Sequence, residues 1–152
     1  MYTFDYQRPS SASAAASAFQ GDTRYLAGGQ SLVQAMKLRL SSSERLVDLG
    51  GVAELKGICM EGSNVVIGAM TTYADVIASP LLRTHAALLV QAVEEVADPQ
   101  IRRRGTVGGA LVHADPAGDV GAPVLALDAE LVIRGVDGER TVPVSEFFLD
   151  LF

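Results

Sequence analysis

The sequence has few of the side chains that carry protein-borne catalysis. Its 152 residues include one cysteine, Cys59, and two histidines, His85 and His113. One thiol excludes an internal disulfide, a cysteine zinc site and a self-contained iron–sulfur cluster, which needs about four ligands. With two histidines and no His-Glu-x-x-His motif, a nucleophile triad is also disfavoured. Any chemistry is therefore expected to belong to a cofactor.

The sequence also lacks the charge and the long apolar runs that other protein classes need. Twelve basic residues against 18 acidic ones give a net charge of −6, which disfavours binding to nucleic acid. No run approaches the roughly 18–20 apolar residues of a membrane span. The N-terminus has no basic segment followed by an apolar stretch, so we expect no signal peptide. A reducing, cytoplasmic setting is the default expectation.

The usual nucleotide motifs, Gly-x-Gly-x-x-Gly and the P-loop, are absent, but two of the glycine pairs stand out. Gly28-Gly29 lies where a predicted strand meets a helix, and Gly108-Gly109 opens a stretch that turns at Pro116. Most such pairs simply make turns. Glycine nevertheless lets a ligand approach the backbone, and consecutive turn N–H groups can bind an anion. Because the chain is acidic, backbone N–H groups and helix N-termini must do most of this work. Two such loops predict one extended, doubly anionic ligand held from both sides.

The pattern of elements predicts an α+β fold with two α/β subdomains, residues 1–56 and 57–152. The first reads β-α-β-α-β, with strands at residues 1–6, 24–27 and 45–49 and helices at 12–20 and 31–38. Ser10 or Ser11 and Ser31 are the expected helix caps. The second reads as a hairpin (57–60 and 64–69), helices at 72–78, 85–97 and 120–127, and a hairpin (130–134 and 140–143) across Asp137-Gly138. We expect Pro80 to break the chain and Asp98-Pro99 to end a helix.

Two further expectations concern apolar segments. Cys59 lies among apolar neighbours and is expected in the core of a strand rather than as a reactive nucleophile. Residues 145–152 are unusually apolar for a chain end. They either dock onto this core or continue into a segment absent here, and we favour the second alternative.

Several short motifs, in order, make the sequence resemble the flavin-binding medium subunit of molybdenum hydroxylases. That family includes carbon monoxide dehydrogenase and xanthine dehydrogenase and shares the vanillyl-alcohol oxidase (PCMH-type) FAD-binding fold. Each motif is modest alone, but their order and spacing make the match specific, and it runs to the end of the chain. The motifs are Phe4-Asp5-Tyr6-Gln7-Arg8-Pro9, Ala27-Gly28-Gly29-Gln30-Ser31-Leu32, Val47-Asp48-Leu49, Ala53-Glu54-Leu55, Gly68-Ala69-Met70-Thr71-Thr72-Tyr73-Ala74-Asp75, Thr106-Val107-Gly108-Gly109 and Asp115-Pro116-Ala117-Gly118-Asp119.

The resemblance implies an FAD site built from both glycine motifs. Ala27, Gly28, Gly29, Gln30, Ser31 and Leu32 would wrap the pyrophosphate. Thr106, Gly108 and Gly109 would reach the diphosphate and the flavin side, and Asp119 would bond a ribose or ribityl hydroxyl. His113 is a further candidate flavin contact. No residue is implied as a catalytic acid or base or as a metal ligand.

Each of the outlying site residues has a structural alternative. Asp119 could cap the helix that follows it, and His113 could be a packed, hydrogen-bonded histidine. Thr72 and Asp75 are better explained as a helix cap and a first-turn acid than as ligands. Residues 102–104, three arginines, are usually a solvated face, with a subunit contact as the alternative.

Three departures from the family pattern bear on the flavin. Ala110 stands where the family commonly has asparagine, so one cofactor hydrogen bond is in doubt. Gln30 stands where some relatives of the fold carry a histidine that attaches flavin covalently, so dissociable FAD is predicted. Family subunits also continue into a C-terminal domain, whereas this sequence stops at Phe152.

The implied function is electron transfer within a complex. In the family, a molybdopterin large subunit oxidises the substrate and passes electrons through [2Fe-2S] clusters of a small subunit. FAD then delivers them to NAD, a quinone or oxygen. The alternatives are a flavin-free assembly module of the same complex and a stand-alone flavin reductase of the peptidoglycan-precursor type.

Overall fold

A computed structural model describes residues 1–149. The chain begins with a three-stranded parallel sheet in the order β1-β3-β2, in which β1 is Asp5–Gln7, β2 is Thr23–Leu26 and β3 is Arg45–Asp48. Two helices connect the strands, α1 (Ala12–Ala18) and α2 (Leu32–Lys37). This is the β-α-β-α-β order that the sequence predicts.

Small residues let α1 pack closely against the sheet. The hydroxyl of Ser11 caps this helix by accepting a hydrogen bond from the N–H of Ala14. Ala12 and Ala15 are buried against Val47 and Val52 in the smaller of two apolar clusters. Short 3₁₀ turns, Leu49–Gly51 and Ala53–Leu55, then lead away from the sheet.

The rest of the described chain is a helical layer flanked by two antiparallel hairpins. The first hairpin pairs β4 (Ile58–Glu61) with β5 (Asn64–Ile67), and the second pairs β6 (Glu130–Gly135) with β7 (Gly138–Pro143). Between them lie α3 (Tyr73–Ala78), α4 (Pro80–His85), α5 (Ala87–Glu94), α6 (Pro99–Arg102), α7 (Val107–His113) and α8 (Gly121–Ala126), and a 3₁₀ turn, Val144–Glu146, follows β7.

A second, larger apolar cluster holds this layer together. Its buried members include Val76, Leu82, Leu89 and Val93, all at most 1% exposed, and it is contacted by residues of both hairpins. The two clusters lie on either side of the predicted boundary at residue 56, and the division into two subdomains stays a prediction. A contact across it is made by Arg134 on β6, whose guanidinium donates to Glu54 over 2.9 Å.

The helix predicted over residues 85–97 forms over a shorter range, as α5, and the preceding α4 is not predicted; Ala86 (φ −143°, ψ 45°) separates the two. Helix α3 ends at Ala78, before Pro80, as predicted, and Pro80 is then the first residue of α4, which Ser79 caps. Asp98 and Pro99 likewise begin α6, which the sequence does not predict. Proline suits the first helical position because its missing N–H would be unpaired there anyway.

Cys59 is on a strand as predicted, but it is exposed rather than in the core. The β4-β5 hairpin packs one face on the larger cluster through Ile58, Val65 and Ile67. Since alternate residues of a strand face opposite sides, Cys59 points away from that cluster.

Part of the apolar C-terminal segment docks onto the protein's own core, and its continuation into a further segment stays a prediction. Phe147 and Phe148 pack on the larger cluster, with their ring centroids 5.3 Å apart in an edge-to-face arrangement. Leu151 and Phe152 lie outside the described residues. None of the helices within residues 1–149 is long and apolar enough to cross a membrane.

Candidate functional site

The first glycine loop, residues 27–32, leaves the sheet at the carboxyl end of β2 and leads into α2. Open parallel sheets bind ligands at this edge. Gly29 has a φ of +76°, a left-handed conformation that glycine adopts at little cost. A left-handed residue of this kind is one of the backbone conformations from which anion-binding turns are built.

The first glycine loop leaves its backbone donors unused. Several of its carbonyl groups are engaged: Gly29 accepts from Val33 over 3.1 Å, and Gly28 accepts from the side-chain amide of Gln30 over 3.3 Å. Four consecutive N–H groups, in contrast, have no hydrogen-bond acceptor among residues 1–149: those of Gly29, Gln30, Ser31 and Leu32. The predicted cap Ser31 occupies the N-cap position of α2, but its side chain makes no capping hydrogen bond.

The second glycine motif, residues 106–109, is not the loop that the sequence predicts. It is the N-cap and first turn of α7, with Thr106 as the cap. The N–H of Val107 donates to Thr71 over 3.1 Å, that of Gly108 donates to Ala69 over 2.8 Å, and that of Gly109 donates to the Thr106 hydroxyl over 3.2 Å. These N–H groups are therefore already hydrogen-bonded within the protein.

The two motifs nevertheless meet. A β-carbon on Gly28 would overlap the carbonyl oxygen of Arg104 and lie 3.0 Å from the α-carbon of Gly105. A β-carbon on Gly109 would lie 3.3 Å from that of Ala27. The first glycine loop thus rests directly on the backbone that enters α7. Glycine is needed at position 28 because two backbones approach closely there.

The remaining predicted site residues lie further along the same helix and beyond it. His113 is the last residue of α7 and half-buried, roughly 10 Å along the helix axis from Thr106 at 1.5 Å per residue. Asp119 is exposed and precedes α8, whose N-cap is Val120 with no side-chain cap. The capping alternative for Asp119 therefore has no support. Whether these two residues contact the flavin stays a prediction.

Thr72 and Asp75 form a helix cap, as the structural alternative holds. The Thr72 hydroxyl accepts from the N–H of Asp75 over 3.2 Å, and the Asp75 carboxylate accepts from the N–H of Thr72 over 3.3 Å. This reciprocal capping box satisfies two otherwise unpaired donors at the start of α3. It leaves no reason to assign either side chain to a ligand.

Tyr73 lies in one of the motifs that carry the resemblance, but it is not among the predicted site residues, and the structure makes it a neighbour of the site. Its N–H donates to the carbonyl of Gly105 over 3.0 Å, and a β-carbon on Gly105 would lie 2.7 Å from its ring. Burial raises the pKa of the Tyr73 phenol, and the nearby carboxylate of Asp119 raises it further. Tyr73 therefore links the second glycine motif to the region of Asp119.

No cluster of three or more His, Cys, Asp or Glu side chains that could hold a metal ion is found in residues 1–149. The usable groups of this region are backbone donors, hydroxyls and one carboxylate. Such a set can bind a polar, anionic ligand.

Known proteins match both the sequence and this geometry. The family described as the FAD binding domain in molybdopterin dehydrogenase matches residues 2–152. The carbon monoxide dehydrogenase medium chain of Hydrogenophaga pseudoflava is 43% identical over 152 residues, which cover 98% of this chain and 53% of the relative. The glyceraldehyde dehydrogenase medium chain of Sulfolobus acidocaldarius is 35% identical over 147 residues, which cover 95% and 52% of the two chains.

Solved structures give the same result. Carbon monoxide dehydrogenase from Hydrogenophaga pseudoflava, in a form that lacks the Mo-pyranopterin moiety of its cofactor, superimposes with a TM-score of 0.95 at 44% identity over 97% of this chain and 53% of that one. Quinoline 2-oxidoreductase from Pseudomonas putida 86 gives 0.92 at 32% identity over 99% and 55%. This chain spans about half the length of the relatives it matches.

These likenesses confirm the predicted α+β fold of the FAD-binding type, in which helices pack with small sheets. They also confirm the family that the motifs indicate, since both the family match and the relatives extend over nearly the whole chain. The chain belongs to the family of FAD-binding domains of molybdopterin dehydrogenases.

Proposed function

We propose that this chain binds FAD non-covalently as part of the electron-transfer subunit of a molybdenum hydroxylase. One observation carries the proposal: a loop with four consecutive unused N–H donors is held against the start of α7. The expected partners are a molybdopterin large subunit and a small subunit with [2Fe-2S] clusters. The expected acceptor is NAD, a quinone or oxygen, and the expected compartment is the cytoplasm.

The donor set of the first glycine loop suits the diphosphate of FAD. A diphosphate offers several acceptor oxygens, and each needs a donor once it leaves water. Four adjacent backbone N–H groups supply such donors without a lysine or arginine side chain. This agrees with an acidic chain whose net charge is −6. The residues present therefore fit the cofactor that the family implies.

Each part of the site then has a proposed task. Residues 27–32 hold the diphosphate, while Thr106, Gly108 and Gly109 form the opposite wall. Asp119 accepts a hydrogen bond from a ribose or ribityl hydroxyl, and His113 contacts the flavin side. The bound flavin supplies two-electron and one-electron redox chemistry. The protein's contribution is to bind it, orient it and keep water away.

Dissociable binding follows from Gln30. A carboxamide is not nucleophilic enough to attach flavin, and here its side-chain nitrogen donates to the carbonyl of Gly28. The side chain thereby stabilises the loop. Mass spectrometry of the denatured, flavin-loaded protein should show the mass of the chain alone, and a flavin adduct would contradict this assignment.

The first test is flavin retention. Purified protein is mixed with FAD and desalted, and its visible absorption is recorded. We expect flavin bands at near-stoichiometric amounts. A colourless protein would contradict FAD binding by this chain.

A matched pair of glycine variants ties any binding to the first glycine loop. Gly29→Ala and Gly62→Ala each force alanine into a left-handed backbone, with φ of +76° and +62°, at a cost of roughly 1–2 kcal/mol. Only Gly29 lies in the proposed site, since Gly62 lies in the β4-β5 turn. We expect Gly29→Ala to lose somewhat more stability, because its β-carbon would also lie 3.0 Å from the Val33 side chain whereas that of Gly62 meets nothing within 4 Å, and only Gly29→Ala to lose FAD affinity. Equal affinities would place the flavin elsewhere.

A flavin-free assembly module is the second candidate function. Ala110 supports it, because this position offers no side-chain amide, and the N–H groups of Val107, Gly108 and Gly109 are already engaged. Failure to retain FAD together with co-purification of the two partner subunits would favour this candidate. Flavin retention would exclude it.

A further inference from the structure

We propose that Arg102 is a positioning residue for the flavin site, an inference that rests on the proposed function. Its guanidinium joins α6 to the end of α5. It thereby fixes the position of the Arg104-Gly105 backbone, on which the first glycine loop rests. The sequence favours a solvated face for residues 102–104, and the structure contradicts this for Arg102. Arg103 and Arg104 are exposed, whereas Arg102 is half-buried.

The contacts of Arg102 are all with backbone carbonyl groups. One terminal nitrogen of its guanidinium donates to Val96 over 2.9 Å, to Glu94 over 3.2 Å and to Ala97 over 3.3 Å. These carbonyls end α5 and the turn after it, where Ala97 adopts a left-handed φ of +42°. Carbonyl groups at a helix end have no partner within the helix. A cation suits them both as a donor and as a charge.

Helix α6 connects Arg102 to the proposed flavin site through the backbone of Arg104 and Gly105. The N–H groups of Arg104 and Gly105 both donate to the carbonyl of Ile101, over 3.0 and 2.7 Å. The carbonyl of Arg104 then contacts Gly28, and that of Gly105 accepts from the N–H of Tyr73. A shift of α6 would therefore move the surface on which the first glycine loop rests.

Helix α6 needs such a tether because it has little apolar anchorage. None of its residues is buried, while α5 buries Leu89, Val90 and Val93 in the larger cluster. Arg102 joins the unanchored helix to the anchored one. A lysine would keep the charge and has three N–H donors, but its nitrogen lies one bond closer to the backbone than the arginine nitrogen that contacts the three carbonyl groups.

Four variants separate positioning from charge and from general stability. Arg102→Gln removes the tether and Arg102→Lys keeps only the charge. Arg103→Gln removes an exposed neighbouring charge. Arg83→Gln removes a similar tether on α4. The Arg83 guanidinium donates to the Glu94 carboxylate and to the carbonyl of Ile77, each over 2.9 Å, and it makes no hydrogen bond to α6 in residues 1–149.

The first readout needs no flavin. Amide hydrogen exchange is measured at Val107 and Gly108, whose N–H groups bond to Thr71 and Ala69. We expect faster exchange there in Arg102→Gln, a smaller effect in Arg102→Lys, and unchanged exchange in both control variants. Unchanged exchange at these amides in Arg102→Gln, with changes confined to the end of α5, would overturn the proposal.

The second readout is the FAD dissociation constant, measured at a temperature at which every variant is folded. We expect Arg102→Gln to raise it by about tenfold or more, the ratio typical of losing one hydrogen bond from a charged donor. An equal rise in Arg103→Gln would show simple charge attraction and overturn the positioning role. If the unsubstituted chain binds no FAD, the proposed function fails, whereas the exchange experiment still decides the role of Arg102.

Discussion

The first glycine loop and the second glycine motif are alike in sequence and opposite in their use of the backbone. In residues 27–32, four consecutive N–H groups have no acceptor in the described chain, whereas in residues 107–109 the N–H groups are engaged by Thr71, Ala69 and the Thr106 hydroxyl. The first motif therefore offers donors to a ligand, and the second, called the supporting motif below, uses its donors to hold the fold. Paired glycines alone therefore do not identify which backbone contacts an anion.

The reasons for glycine also differ position by position. Gly29 needs a positive φ, whereas Gly28 and Gly108 leave no room for a β-carbon. The close approach at Gly28 seats the first glycine loop on the backbone that enters α7, whereas the close approach at Gly108 seats α7 on Ala69. Substitutions should separate these two contributions.

Gly28→Ala should have the largest effect. Its β-carbon would overlap the carbonyl oxygen of Arg104, which is backbone and cannot rotate away. We expect the free energy of unfolding to fall by about 1–3 kcal/mol or more, as for other overpacked sites, and FAD binding to be lost. Urea unfolding and flavin retention measure the two effects.

A helical glycine with space around it serves as the control for Gly28→Ala. Gly121 lies in α8, and its β-carbon would meet only Phe148, at 3.7 Å. Gly121→Ala should be neutral or stabilising by up to about 1 kcal/mol. Equal stability of the two variants would show that the loops do not interlock as described.

Gly108→Ala tests the supporting motif by itself. The new β-carbon would lie 2.6 Å from that of Ala69 and 2.8 Å from its carbonyl oxygen. We expect a loss of about 1–3 kcal/mol in the free energy of unfolding. Because the donors of residues 29–32 are untouched, the FAD affinity of the folded fraction should fall less than in Gly28→Ala. A larger fall would mean that the second motif itself contacts the diphosphate.

Local sequence signals predict the elements of this fold well where a cap and a turn agree. Ser11 and Thr72 cap helices as expected, and the β6-β7 hairpin forms around Asp137. The signals fail at Ser79-Pro80 and Asp98-Pro99, where proline was equally compatible with ending one helix and beginning another. For α4, the burial of Leu82 in the larger cluster favours the helix that begins at Pro80, and such packing is not readable from local sequence.

The sequence predicts which motifs form the candidate site, but it does not predict which backbone N–H groups are left available to a ligand. The motifs predict Gly28, Gly29 and Gly108 in one site. The structure places Gly28 against Arg104 and Gly105, and Gly109 beside Ala27, and a shared ligand site stays a prediction. The sequence cannot show that the N–H of Gly108 bonds to Ala69, nor that Tyr73 packs beneath Gly105. These contacts join segments that are distant along the chain, so they cannot be predicted from the spacing of residues within a motif.

Acidification should have a smaller effect than the glycine substitutions, by weakening the contact of Glu54 with Arg134 that joins the two halves of the chain. The Ala12 N–H and the Arg134 guanidinium both bond to the carboxylate of Glu54 and hold its pKa below its usual value. A depressed pKa means that this stabilisation is present above the ordinary glutamate pKa of about 4.3 and is lost as pH falls through the lower, folded-state value. Glu54→Gln should therefore be less stable at neutral pH and show a shallower acid dependence in urea unfolding.

The exposed Glu61 in the β4-β5 hairpin provides the matched substitution for that experiment. Glu61→Gln removes the same formal charge without touching Ala12 or Arg134. An acid dependence that changes equally in both variants would assign the effect to net charge rather than to the Glu54 contacts.

The smallest expected effect restores a residue type that the family commonly has. Ala110 follows the second glycine motif and is half-buried beside the larger cluster. In Ala110→Asn a side-chain amide becomes available to the flavin, and one neutral hydrogen bond of about 0.5–1.5 kcal/mol corresponds to roughly a 2- to 12-fold gain in affinity. Asparagine costs about 0.7 kcal/mol of helix propensity relative to alanine. Ala122→Asn, at an exposed position of α8, measures that loss of stability without a gain in flavin contact. Tighter FAD binding in Ala110→Asn alone would show that the supporting motif can also contribute to binding. Unchanged affinity would confine binding to the first glycine loop.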